Sequence, residues 1–125
     1  NNRFLSLFDM NLLEENSFPW TQKKLINNNK DLLRATGLPI TNAVTVNEIT
    51  TNKNRIAYYK NNLDASLESL EGAALHYVAL SEHIPFLQLR SVSNFAGERD
   101  KSKWKMKESI AALNTALQQQ ILKLI

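Results

Sequence analysis

Two residues of this chain have the chemistry and the setting to bind a small polar molecule. Glu71 stands at the start of a predicted helix and is followed by Gly72 and two alanines, whose small side chains allow close approach of a ligand. A helix N-terminus stabilises a negative charge by about 0.3–1 kcal/mol, and a carboxylate accepts hydrogen bonds from the vicinal diol of a sugar. The alternative is that Glu71 only complements the helix dipole.

Asn94 follows a predicted strand over residues 84–92, within the sequence SNFAG. Its amide offers a donor and an acceptor to the edge of a heterocycle, although an ordinary turn before Gly97 explains the same residue. Arg90 lies on this strand. If it is buried it needs a carboxylate, which Glu68 or Glu71 could provide, and we expect such a structural ion pair in preference to a substrate contact.

Other catalytic signatures are missing from the sequence. His76 and His83 are seven residues apart without a third ligand at suitable spacing, so we expect no metal site and no cofactor. The sequence has no cysteine, no glycine-rich phosphate loop and no G-x-S-x-G motif, which argues against thiol, nucleotide-triphosphate and serine-hydrolase chemistry. Lysines 101, 103, 105 and 107 form either a solvated basic face or, with Arg99, an anion-binding rim.

Length and charge limit the class of protein. With 125 residues, 43% of them hydrophobic, the chain makes at most one domain, which would expose about 6,800 Å² if it folded alone. The net charge of +3 is spread in alternating sign, so we expect no nucleic acid partner. No apolar run is long enough to span a membrane and residues 1–5 lack the apolar core of a signal peptide, so we expect a cytoplasmic protein.

The elements that would position these residues alternate between strand and helix. After a loop over residues 1–20, the patterns predict helices and strands in the order helix 21–36, strand 43–46, helix 52–59, strand 65–67, helix 71–82, strand 84–92 and a long C-terminal helix with apolar positions 110, 113, 117, 121 and 124. Alternation predicts parallel strands with right-handed crossovers. Their carboxyl ends then share one edge of the sheet, where ligands of open α/β sheets bind.

Two segments together resemble the nucleoside phosphorylase and nucleosidase superfamily. LESLEGAA at residues 67–74 is similar to its Met-Glu-x-Ala helix start, and residues 84–94 are similar to its Pro-Phe strand that ends in Arg-x-x-Ser-Asp or Ser-Asn. With residues 97–104, 45–47 and 4–10, the chain looks most like the futalosine hydrolases of the alternative menaquinone pathway. That resemblance covers nearly the whole chain.

The resemblance implies roles for Glu71 and Asn94. Glu71 would hold the ribose hydroxyls, and Asn94 would meet the purine at ring nitrogen 7 and the 6-oxo group. Leu70 replaces the usual Met, a near-isosteric change that preserves packing on the sugar. A neutral amide donates to a 6-oxopurine, so the base inferred is hypoxanthine.

Further contacts follow from the same resemblance. The base would be bordered by a loop of three residues, Asn47, Glu48 and Ile49. The carboxylate of futalosine would be attracted by Arg99 or Lys101. Relatives assemble as dimers or larger, so we expect a homo-oligomer.

The implied fold is a phosphorylase/hydrolase-like three-layer α/β/α sandwich with a mixed sheet, of which residues 1–125 are the C-terminal portion. The implied reaction is hydrolysis of the N-ribosidic bond of futalosine, releasing hypoxanthine and dehypoxanthine futalosine. The family's water-activating residue lies in the N-terminal half, so we expect this portion to be inactive alone. The alternatives are a purine nucleoside phosphorylase, a nucleosidase of the methylthioadenosine and S-adenosylhomocysteine type, and a non-catalytic nucleoside-binding fragment.

Overall fold

The computed structural model describes residues 5–124; residues 1–4, part of the predicted N-terminal loop, and residue 125 lie outside it. The elements in chain order are α1 (Lys30–Ala35), β1 (Ala43–Thr45), α2 (Lys53–Asn62), β2 (Leu67–Ser69), α3 (Gly72–Ser81), a 3-10 turn (Lys101–Lys103) and α4 (Met106–Leu124). This mixture of helices with a small sheet confirms the predicted α/β class.

The two strands are short and parallel. Val44 of β1 lies opposite Glu68 of β2, and α2 connects the strands. A further hydrogen bond, from Val46 N to Ser69 O at 2.9 Å, continues the ladder just beyond β1. The predicted parallel crossover between these strands is therefore confirmed, and their carboxyl ends lie side by side.

The predicted strand over residues 84–92 is wrong. This segment takes part in no strand ladder within the described part of the chain, where the sheet has only β1 and β2. The Phe86 carbonyl accepts a hydrogen bond from Asn27 Nδ2 at 2.9 Å, a side-chain donor and not a strand neighbour. A sequence rich in apolar residues favours an extended backbone, but a strand forms only where another backbone pairs with it.

The predicted helix over residues 21–36 is much shorter than expected. It begins only at Lys30, because the Asn29 side chain caps it by accepting a hydrogen bond from Leu32 N at 3.1 Å. Asparagine side chains bind nearby backbone groups and so compete with helix formation, which explains why the Asn triplet precedes the helix. The predicted stop at Gly37 is confirmed, since this glycine has a φ of +67° that other residues rarely adopt.

The C-terminal helix α4 forms as predicted, but much of its apolar stripe faces solvent. Ile110, Leu117, Ile121 and Leu124 are 48–83% exposed. The helix is held near its C-terminal end by Gln120 Nε2 and Lys123 Nζ, which each donate to Thr36 O at 2.9 Å. No helix within residues 5–124 is long and apolar enough to cross a bilayer.

Few side chains of the described residues are buried. Among the aliphatic and aromatic side chains of residues 5–124, only those of Pro19 and Ala79 are buried. The accessible surface is 10089 Å², against about 6,800 Å² expected for a compact monomer of this mass. The excess of about 3,300 Å² is far more than the roughly 800 Å² that one partner buries in a standard interface.

Candidate functional site

The first backbone N–H groups of α3 form hydrogen bonds with the last residues of both strands. Gly72 N donates to Ser69 Oγ at 3.2 Å, and Ala73 N donates to Thr45 Oγ1 at 2.9 Å. The first N–H groups of a helix have no partner within it, and here hydroxyls from β2 and β1 accept two of them. The helix start therefore lies at the carboxyl edge of the sheet, as the strand order predicts.

Glu71 and Leu70 lie at this edge, between β2 and α3. Glu71 is the N-cap residue of α3, is exposed, and makes no side-chain capping hydrogen bond. Leu70 is 51% exposed. The structure thus presents a carboxylate and an apolar side chain together at the end of β2, next to the positive end of a helix.

Gly72 is enclosed by side chains of β2 and of the segment that follows α3. A Cβ atom at this position would lie 2.8 Å from Gln88 Oε1 and 2.8 Å from Ser69 Oγ. The Gly72 carbonyl accepts from Gln88 Nε2 at 3.0 Å and lies 3.3 Å from His76 Nδ1. Residues 84–92, although not a strand, therefore cross directly over the first turn of α3.

The ion pair predicted for Arg90 is wrong. Arg90 is exposed and donates from Nε to Gln88 Oε1 at 3.0 Å, and it pairs with neither Glu68 nor Glu71 in the part of the chain that is described. Because Arg90 stays in contact with solvent, it needs no buried counter-charge. Glu68 instead accepts hydrogen bonds from the backbone N–H and the hydroxyl of Thr50.

The two histidines have separate surroundings. His76 is half-buried and makes a T-shaped contact with the ring of Phe86. Burial is the main cause that lowers the pKa of His76; the hydrogen bond to Gly72 O opposes this effect, and the nearby charge of Arg90 adds to it. His83 stacks on Phe18 with 5.6 Å between ring centroids. Within residues 5–124, no three His, Asp or Glu side chains gather in a group that could hold a metal ion.

The loop after β1 borders a shallow depression of about 100 Å³. It brings together the predicted residues Asn47, Glu48 and Ile49, and Arg55 and Tyr59 of α2 complete the wall. Ligand pockets are usually about 300–1,000 Å³, so this depression accommodates only one part of a nucleoside-sized molecule.

Asn94 lies in the loop between residues 84–92 and the 3-10 turn. Its Oδ1 accepts a hydrogen bond from Ser93 Oγ, and its Nδ2 donates to Phe95 O at 3.0 Å. Both ends of the amide are therefore engaged within the loop itself. A ligand that binds this amide must exchange these local hydrogen bonds for its own.

Arg99 connects the Asn94 loop to the depression. Its Nη2 donates to Thr51 Oγ1 at 3.3 Å, and Thr51 belongs to the wall of the depression. Nearby, a Cβ atom on Gly97 would lie 3.2 Å from Ile56 Cδ1, so the loop packs closely on α2. By contrast, Lys101 Nζ lies 5.9 Å from the centroid of the Trp104 ring.

Sequence reasoning missed three residues in the wall of the depression, Thr50, Arg55 and Tyr59, and it missed the contact of Thr50 with Glu68. The Thr50–Glu68 contact joins residues 18 apart and has no local signal. Arg55 and Tyr59 are four apart on α2, and Arg55 Nη1 donates to Tyr59 Oη at 3.1 Å. That i, i+4 spacing on a predicted helix was a signal that could have been found.

Two curated proteins are similar to this chain, and both are named futalosine hydrolase. The protein from Thermus thermophilus is 33% identical over 87 residues, which are 70% of this chain and 39% of the relative. The protein from Streptomyces coelicolor is 40% identical over 53 residues, 42% of this chain and 23% of the relative. The resemblance to futalosine hydrolases is thereby confirmed, with the matched stretch spanning less than two fifths of each relative. No family model and no solved structure matched.

Proposed function

We propose that this chain is the C-terminal portion of a futalosine-type nucleosidase, which hydrolyses the N-ribosidic bond of futalosine to hypoxanthine and dehypoxanthine futalosine in menaquinone biosynthesis. The similarity to two futalosine hydrolases carries the proposal. The hydrogen bonds between the start of α3 and the ends of β1 and β2 support the proposal. They place Glu71 at the edge of the sheet where such folds bind ligands.

In the proposed reaction, Glu71 holds the ribose hydroxyls and Leu70 packs against the sugar. The bond between ribose and purine breaks as its electron pair moves into the base. Water adds to the oxocarbenium-like sugar and loses a proton, and the departing hypoxanthine anion takes up a proton. Asn94 stabilises the negative charge that develops on the departing hypoxanthine by donating a hydrogen bond. Asn47, Glu48 and Ile49 border the base.

The proposed fold is a three-layer α/β/α sandwich with a mixed sheet, completed by a preceding half of the domain. The exposed surface supports this division, since about 3,300 Å² more is exposed than in a compact monomer of this mass. The unpaired segment 84–92 would gain a strand neighbour from the missing half, and the apolar side of α4 would be covered. The water-activating group would also come from that half, and the whole protein would be a cytoplasmic homo-oligomer.

Two substitutions in the full-length protein test the proposed site. Asn94→Ala and Glu71→Gln should each lower turnover of futalosine by about 100-fold or more, the usual effect of losing a transition-state donor or an orienting contact. Hypoxanthine release gives the rate. Glu82→Gln is a matched control, because Glu82 is an exposed carboxylate at the opposite end of α3. Unchanged turnover in both site variants would refute the assigned roles.

The same assay separates the alternatives. Strict dependence of hypoxanthine release on added phosphate would identify a phosphorylase instead of a hydrolase. Faster cleavage of methylthioadenosine than of futalosine would identify a nucleosidase of the other type. Binding of nucleoside by the full-length protein without any turnover would identify a binding protein.

A further inference from the structure

The loop after β1 is attached to β2 at its two ends. At its start, Val46 N donates to Ser69 O at 2.9 Å. At its end, Thr50 N donates to Glu68 Oε1 at 3.1 Å. Between these points, residues 47–49 border the depression and are exposed, and they form no hydrogen bond with any other residue in the range 5–124. The position of residues 47–49 therefore depends on the two attachments.

The attachment at Thr50 satisfies two groups at once. Thr50 is 5% exposed, and its N–H and its hydroxyl both donate to Glu68. Glu68 is half-buried and forms no ion pair with another described residue. A partly desolvated carboxylate without a cation needs hydrogen bonds, and a buried N–H left without an acceptor costs about 1–3 kcal/mol. Removing the Glu68 carboxylate should therefore free the end of the loop.

Both acceptors of these attachments are neighbours on β2. Glu68 and Ser69 directly precede Leu70 and Glu71, the two residues that contact the sugar in the proposed function. One short stretch of backbone thus carries the sugar contacts and also fixes both ends of the loop that borders the base. Glu68 does not line the depression itself, so it acts on the base through Thr50.

We infer that Glu68 is a positioning residue, which acts through Thr50 to hold the loop of residues 47–49 against the purine and so determines the choice of base. This inference rests on the proposed function, in which the loop borders the base and Asn94 meets its 6-oxo group. A base held in one orientation presents its 6-substituent to Asn94, whereas a base that tilts in a loosened site does not. Loss of the attachment should therefore reduce selectivity at the 6-position of the purine.

The test compares futalosine with its 6-amino analogue, which keeps the sugar and changes only the substituent that Asn94 would contact. The full-length wild type should prefer futalosine. Glu68→Ala should lower kcat/KM for futalosine by about 10- to 100-fold, the usual effect of a misplaced substrate. The value for the 6-amino analogue should change by less than about threefold, because this substrate lacks the 6-oxo contact that the loop aligns. Glu68→Gln keeps the length and one acceptor oxygen, and it should recover most of the loss.

Thr50→Val tests the other partner of the contact. It removes the hydroxyl donor and keeps the N–H, so it should reduce selectivity in the same direction by a smaller factor. This variant decides the question if Glu68→Ala does not fold. Combined with Thr50→Val, Glu68→Ala should cost less than it does alone, because the two residues form one contact.

Asn42→Ala is the matched control, because it also removes a side chain that joins the two strands by hydrogen bonds. Asn42 Nδ2 donates to Asp64 O at 3.2 Å and to Asp64 Oδ2 at 3.3 Å, just before the strands begin, at the opposite edge of the sheet. Its loss should leave the selectivity unchanged.

Several results would overturn the inference about Glu68. They are an equal loss on both substrates in Glu68→Ala, no loss at all, a wild type without preference for futalosine, and the same change of selectivity in Asn42→Ala. Failure of the wild-type protein to cleave either compound would instead refute the proposed function.

Discussion

A methyl group added at Gly72 should destabilise the protein by about 1–3 kcal/mol, the usual cost of overpacking a filled site. The alanine Cβ would lie 2.8 Å from Ser69 Oγ, 2.8 Å from Gln88 Oε1 and 3.2 Å from Arg90 Nη2. Real Cβ atoms do not approach other atoms as closely as 2.8 Å, so the side chains of Ser69 and Gln88 must move.

The magnitude follows from the hydrogen bonds that such movement breaks. Ser69 Oγ accepts from Gly72 N, Gln88 Nε2 donates to Gly72 O, and Gln88 Oε1 accepts from Arg90 Nε. Each is worth about 0.5–1.5 kcal/mol. Alanine is a better helix former than glycine by up to about 1 kcal/mol, which offsets one of these losses but not all three.

Urea unfolding of the full-length protein measures the effect of Gly72→Ala. The midpoint should fall while the dependence of the free energy on urea stays the same, since the change affects stability and not the size of the unfolding unit. The same substitution is also made in a Gln88→Ala variant, which lacks one of the side chains that the added methyl group would meet. Gly72→Ala should lower the free energy of unfolding less in this variant than in the wild type. If Gly72→Ala is as stable as the wild type, or costs the same in both backgrounds, the close packing described around α3 is wrong.

Two further outcomes are expected. Burial lowers the pKa of His76 in the folded protein below its usual 6.5. As the pH falls, the unfolded chain therefore takes up a proton at His76 before the folded protein does. The free energy of unfolding should thus decrease as the pH falls from about 6.5 towards the pKa of the folded state. His76→Asn does not titrate, so urea unfolding at about pH 5.5 and 7.5 should differ less for it than for the wild type; an equal difference would contradict the assignment. The isolated 125-residue chain should bind a hydrophobic dye and unfold without a cooperative transition, whereas a stable, cooperatively unfolding monomer of 14.2 kDa would contradict the proposal that it is part of a larger domain.

The parts of the fold that could be predicted depend on local sequence. Helix α3 follows from its run of small and apolar residues, and Gly37 marks the end of α1 because its positive φ suits glycine. The parallel pairing of β1 with β2 follows from the intervening helix, since a crossover is what joins parallel strands. These signals lie within a few residues of the structure they specify.

The predictions that failed depend on a distant partner. Residues 84–92 have a strand-like composition, but composition does not specify which backbone pairs with them. The side chain of Arg90 binds Gln88 and not a carboxylate, because its exposure removes the need for one. The Thr50–Glu68 contact also has no local sequence signal, because it joins residues 18 apart.

Because Pro19 and Ala79 are the only aliphatic or aromatic side chains buried within residues 5–124, substitution tolerance should depend on the form of the protein that is assayed. A deep mutational scan of this chain alone would find nearly every apolar position permissive, including the exposed leucines of α4. The same scan in the complete polypeptide would reveal which of those positions become intolerant. The difference between the two maps would outline, residue by residue, the surface that the proposed remainder of the domain would cover.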